Sequence, residues 1–173
     1  GVLICRPATG GTPFAACLKG GNNAEHHNHN DVGSFSVVCG KTMILCDPGS
    51  EVYTARTFSA KRYDSKVLSS YGHSVPVIAG QLQHTGAEAC AVVKRTDFAD
   101  DQDVLTLDIQ SAYTVPELKQ LERQFTYRRG AKPSLTVRDQ VEFTQPNTFE
   151  TALITWAKWK QTAPDTLIVG DGS

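Results

Sequence analysis

The densest set of ligating side chains lies between Lys19 and Asp31, in KGGNNAEHHNHND, which holds three of the five histidines. A polar, glycine-rich loop so loaded is expected to do more than connect two elements. His27, His29 and Asp31 alternate along it. Residues two apart share one side of an extended segment, which predicts the two imidazoles near one another. Imidazole and carboxylate together suit a borderline ion such as Zn2+. Asp47, in CDPGS, and His73, in YGHSVPV, stand at two further junctions. Gly40 lies about midway between His29 and Asp47, so a hairpin folded there predicts those two as neighbours. Residue types alone also fit a plainer arrangement, in which these groups cap loops and bond to backbone. HxHxD is a less specific signal than paired CxxC motifs.

The other reactive side chains carry weaker signals. The five cysteines are odd in number and form no CxxC pair, so they are expected as unpaired thiols acting as small hydrophobes. No HExxH occurs, which weighs against a zinc hydrolase. His26 and His84 are expected at the surface, and Arg128-Arg129 in a solvated turn. Trp156 and Trp159 fit either a sugar-stacking platform or, preferably, core or edge packing.

The elements that must position these groups read as strands almost throughout. SFSVVC (Ser34 to Cys39) and TMILC (Thr42 to Cys46) flank a Gly40-Lys41 turn. Further strand-like runs are Val75 to Ala79, Glu88 to Lys94, Val104 to Ile109, Gln124 to Arg128, Leu135 to Phe143 and Phe149 to Trp156. In LTVRDQVEF, Leu135, Val137, Val141 and Phe143 share one parity. Asp139 falls on that apolar parity, which predicts a bulge, a buried hydrogen bond or a strand end. Pro116 to Arg123 (PELKQLER), with Leu118 and Leu121 three apart, is the one predicted helix. Many short strands between turn signals predict an all-β, antiparallel two-sheet β-sandwich spanning residues 1–173.

Size and composition agree with one such domain. The chain has 173 residues, 40% hydrophobic and 20% charged, with a formal net charge of -1. That charge gives no sign of a nucleic-acid partner, and no apolar run is long enough to span a membrane. Gly1 to Arg6 reads as a strand without signal-peptide features, which predicts that the chain begins inside a larger protein.

The stretch from His27 to about Gln83 resembles the heparinase II/III family of polysaccharide lyases. The matching pieces are HNHNDVGSF (His27 to Phe35), LCDPGS (Leu45 to Ser50), Tyr53 and RYDSKVLSSYGHSVPVIAGQLQ (Arg62 to Gln83). They cover about a third of the chain, in the family's order. The resemblance implies the carboxy-terminal β-sandwich of a bacterial enzyme whose upstream α/α toroid, absent here, shares the cleft. It implies β-elimination on a uronic-acid polysaccharide, with glycosaminoglycans such as heparin and heparan sulfate, and also alginate, as possible substrates. A base removes the C5 proton, the C4–O bond breaks, and donors stabilise the developing enolate. The family's cleft histidine on the sandwich matches His27, and its structural zinc ligands match His29, Asp47 and His73, one by one. The interval from His29 to Asp47 is one residue longer than in the family's pattern.

Asp31 then fits either orienting a ligand histidine or capping backbone. Arg62 fits pairing with a substrate carboxylate or sulfate, or a packed strand edge. Gln83 fits a substrate contact or a turn hydrogen bond. The expected partners are the acidic polysaccharide and the toroid, the expected location periplasmic or secreted. The isolated domain is expected to be inactive. The alternative function is a non-catalytic, metal-stabilised carbohydrate-binding or structural sandwich.

Overall fold

Period-two patterning becomes strand pairing over most of the chain. The computed structural model describes residues 1–170. Its strands are β1 (Val2–Cys5), β2 (Phe14–Lys19), β3 (Asn22–Asn23), β4 (Phe35–Cys39), β5 (Thr42–Leu45), β6 (Pro76–Ile78) and β7 (Gly86–Cys90). Then follow β8 (Val92–Phe98), β9 (Gln102–Asp108), β10 (Leu118–Arg128), β11 (Ser134–Phe143), β12 (Phe149–Thr151), β13 (Trp159–Ala163) and β14 (Thr166–Val169). All paired strands are antiparallel. One four-stranded sheet has the order β1-β2-β4-β5 and the other β11-β10-β9-β8. Short pairs β12-β6, β13-β14 and β3-β7 complete the sandwich.

The core contains Ala16, Leu18, Phe35 and Val37 from the first sheet and Leu105, Leu107, Leu121, Phe125 and Tyr127 from the second. Phe35 meets Phe125 edge-on at 5.9 Å between centroids, and Phe14 stacks on Tyr127 at 5.8 Å. Each fully buried aliphatic or Phe side chain contributes roughly 1.5–3 kcal/mol. Among the described residues, no helix is long and apolar enough to cross a membrane.

Several local expectations change. The helix expected over Pro116 to Arg123 is the start of β10. The pairing with β11 shifts register between Leu118 and Gln120. The extra residue there lets Leu118 and Leu121, three apart, both be buried, which imitates a helical repeat. The run Glu88 to Lys94 divides at Ala91 into β7 and β8, which lie in different sheets. Phe149 to Trp156 is strand only over β12.

Asp139 resolves as a buried ion pair. It lies opposite Arg123 in the β10–β11 register. The Arg123 guanidinium is 0% exposed and donates to Asp139 at 2.6 and 2.8 Å. It also donates to the carbonyls of Gly33 (3.0 Å) and Ser74 (2.9 Å) and to Thr151 Oγ1 (3.2 Å). One cation thus ties two strands to the residues that border the histidine loops. Gly33 has φ of +81° and faces Ile109, whose Cδ1 would lie 3.1 Å from an added Cβ. A side chain there would strain the turn that leads from the polar loop into β4.

The β4–β5 hairpin turns through Gly40-Lys41 as expected. A register shift between Val37 and Val38 leaves Ile44 as one extra residue in β5. After β5 the chain makes a long irregular excursion from Cys46 to Val75, with 3-10 turns at Arg56–Phe58, Arg62–Asp64 and Ser70–Gly72. Glu51 organises its first half, accepting from Arg56 Nη2 (2.6 Å) and Ser65 Oγ (2.6 Å).

Candidate metal centre and cleft

The polar loop, the end of β5 and the Ser70–Gly72 turn converge at one corner of the sandwich. His29, Asp47 and His73 each present one ligand atom there, and these atoms lie within 4.8 Å of one another. His29 comes from the loop, which is held to the excursion by Asn30 N–H donating to Leu68 O at 2.9 Å. Asp47 follows β5, its carboxylate accepting from Gly49 N–H at 2.8 Å. His73 is 1% exposed, and its ring lies 5.2 Å from that of His29.

Hydrogen bonding fixes how His73 meets its neighbours. Nε2 lies 3.1 Å from Val67 O. A carbonyl oxygen only accepts, so Nε2 carries the ring proton. In the neutral ring, Nδ1 is then a lone-pair donor, and it faces Asp47 Oδ2 at 3.2 Å. Two electron-rich atoms so placed call for a proton or a cation between them. A backbone partner on the far nitrogen is also how ligating histidines are oriented. Two imidazoles and a carboxylate suit Zn2+ or a similar divalent ion, so the residues fit the group.

The electrostatics favour the ligating forms. Burial pushes the Asp47 carboxyl up, but the adjoining His73 ring and the Gly49 N–H outweigh it and hold the group below its ordinary value. Burial, then the neighbouring His73, lowers the His29 imidazole. Both groups are therefore deprotonated near neutral pH.

His27, His29 and Asp31 do not share one side of an extended segment. His27 has φ of +56°, so the loop is not extended there and its alternate residues diverge. His27 leaves the metal corner and stacks on Tyr53, with centroids 5.9 Å apart and planes 8° apart. Asp31 pairs with Lys19 Nζ at 2.5 Å, so it neither caps backbone through its side chain nor orients a ligand. His29 meets Asp47 although the two are not paired across the hairpin, whose register ends at Val37 and Leu45.

His27 is exposed and lines a cavity of about 390 Å3 with Glu25, His26, Asn28, Arg62 and Tyr63. Asn28 is buried, and its Oδ1 has no hydrogen-bond partner among the described residues. Its Nδ2 donates to Asn30 Oδ1 and to the Tyr63 hydroxyl, both at 3.4 Å, so Asn28 braces the cavity wall from within the protein. Arg62 turns inward: Nε and Nη2 donate to Asn28 O (3.2 and 2.8 Å) and Nη1 to Thr57 O (3.0 Å). Gln83 is 4% exposed and meets protein, donating to Val32 O at 2.7 Å and accepting from Val32 N–H at 3.1 Å. The substrate contact expected of Gln83 has no exposed group to make it.

Elsewhere, Trp156 and Trp159 are 79% and 63% exposed, which overturns the preference for packed indoles. Among the five cysteines, none of which is in a disulfide, only Cys5 and Cys46 are buried. Arg129 is not solvated as expected but pairs with Asp103 at 2.5 Å. Sequence reasoning assigned no role to Tyr53, Val67 or Arg123, because a lone tyrosine, a carbonyl and a strand arginine carry no spacing signal.

No family model matches the chain, and the search of curated proteins found no match. Among solved structures, one described as a heparinase III gene product with methylated lysines matches with a TM-score of 0.71 and 14% identity. The match covers 94% of this chain and 24% of that one. The chain therefore spans about a quarter of the length of that structure and shares the fold of that portion.

Proposed function

We propose that this chain is the metal-bearing β-sandwich domain of a polysaccharide lyase that cleaves uronic-acid-containing polysaccharide by β-elimination. The observation that carries this reading is the convergence of His29, Asp47 and His73 beside the cavity that His27 lines. The shared fold with a heparinase III supports it.

In this reading the bound ion is zinc, and it cross-links three loops that are far apart along the chain. The protein's own groups then act as follows. His29 ties down the loop whose preceding turn carries His27. Asp47 and His73 bracket the excursion that supplies Arg62 and Tyr63. Arg62 fixes the backbone after His27, which places an imidazole in the cleft wall for hydrogen bonding or proton transfer. Groups that complete the chemistry belong to an upstream toroid of the same protein, which is periplasmic or secreted.

The test is absorbance of the unsaturated product on a panel of uronate polysaccharides. The whole protein should release it, a His27→Ala variant should lose at least about 100-fold in rate, and the isolated chain should be inactive. Full activity in His27→Ala, or robust product from the isolated chain, would contradict the assignment. Binding to polysaccharide without any product from the whole protein would support the non-catalytic alternative.

A further inference from the structure

We propose that Tyr53 is a positioning residue that decides which nitrogen of His27 faces the cleft. The proposal rests on the reading of His27 as a cleft histidine. The Tyr53 hydroxyl lies 3.1 Å from His27 Nδ1. The two rings are nearly parallel, 8° apart, with centroids separated by 5.9 Å. Phe58 meets the Tyr53 ring at 5.4 Å and 88°, an edge-to-face contact that also braces the phenol.

The backbone of His27 would not hold this geometry unaided. Its φ of +56° is unfavourable for a side chain with a Cβ. Arg62 clamps the following carbonyl, Asn28 O, with two N–H groups and anchors its third donor on Thr57 O. Tyr53, Phe58 and Arg62 all lie between Asp47 and His73 in the chain. The same two metal-corner residues therefore delimit the segment that supports His27.

The chemical consequence is a choice of tautomer. A phenol is a better proton donor than a neutral imidazole N–H, so Tyr53 donates to Nδ1. The ring proton then resides on Nε2. His27 thereby presents an N–H to the cleft, suited to meeting the carboxylate of an acidic sugar as a hydrogen-bond donor. It does not present the lone pair needed to take a proton from C5. The base for that step must come from elsewhere.

Long-range proton–nitrogen correlation spectra of the 15N-labelled chain, with zinc added and recorded as a pH series up to the plateau where the ring signals no longer move, test this. The expected spectrum shows His27 protonated at Nε2 with Nδ1 as acceptor. Tyr53→Phe keeps the stacked ring and removes the hydroxyl, and should shift the tautomer ratio toward Nδ1–H about fivefold, the effect of one ordinary hydrogen bond. An Nδ1–H tautomer in the wild-type chain would overturn the proposal without any variant. So would an unchanged ratio in a folded Tyr53→Phe chain. The readout needs no enzymatic activity, so a failure of the lyase reading leaves this result standing on its own.

Discussion

Removing Asp139 should strip the buried Arg123 cation of its counter-charge and destabilise the domain severely. In Asp139→Ala, the two charge-assisted bonds at 2.6 and 2.8 Å disappear. The guanidinium stays at 0% exposure with only two carbonyls and one hydroxyl as acceptors. Asp139 itself is 11% exposed, so water screens the pair little. Breaking a buried pair from one side typically costs about 3–5 kcal/mol. For a chain of this size that corresponds to a fall in Tm of roughly 6–20 °C. Urea denaturation should show the loss as a lower midpoint with an unchanged slope. Replacing both partners, in Arg123→Met with Asp139→Leu, should recover much of it, because the uncompensated charge is then gone. Metal affinity should fall in the double variant even as stability recovers, because Arg123 also fixes the carbonyls of Gly33 and Ser74 beside the candidate ligand loops. A cost below about 1 kcal/mol, the range of exposed pairs, would refute the reasoning.

Two further outcomes follow from the same geometry. Gly72→Ala would place a Cβ 2.5 Å from Lys66 O, a backbone atom that cannot swing aside. The His73 turn must then shift, and isothermal titration with Zn2+ should show at least about tenfold weaker binding, the loss expected of a ligand no longer properly oriented; unchanged affinity would show that the turn adapts. Acidification should weaken the domain and release any ion held at the candidate site. His29 titrates below its ordinary value of 6.5, so as pH falls below that value the unfolded chain takes up a proton that the folded chain refuses. Asp47 also titrates below its ordinary value, 3.8, so the stability it contributes is present above that value and is lost as pH falls through the lower, folded-state value. Bound metal and Tm should both decline from about pH 8 to about pH 5 as protons compete for the ligands; a Tm that rises over that range would contradict the stated directions.

The fold was legible because strand alternation survives in the sequence wherever one face is buried, as in β11. The exceptions have local causes. A bulge after Leu118 gave two core leucines a helical spacing, and a charge on the apolar parity proved to be the partner of Arg123. The grouping of His29, Asp47 and His73 was legible through residue types at loop junctions and through the family resemblance. The way His27 parts from the alternation was not, because it goes with a left-handed backbone at His27 that no glycine or asparagine announces. Arg62 and Gln83 were visible as polar groups near the cleft. Their inward orientation comes from orphan backbone carbonyls and amides, which sequence does not display.

The most direct measurement is anomalous scattering at the zinc edge from crystals of the chain, purified without chelator and checked by elemental analysis. About one ion per chain is expected, bound by His29, Asp47 and His73 with bonds of about 2.0–2.2 Å, and lost in His73→Ala. A metal-free chain, or an ion held by other residues, would contradict the account.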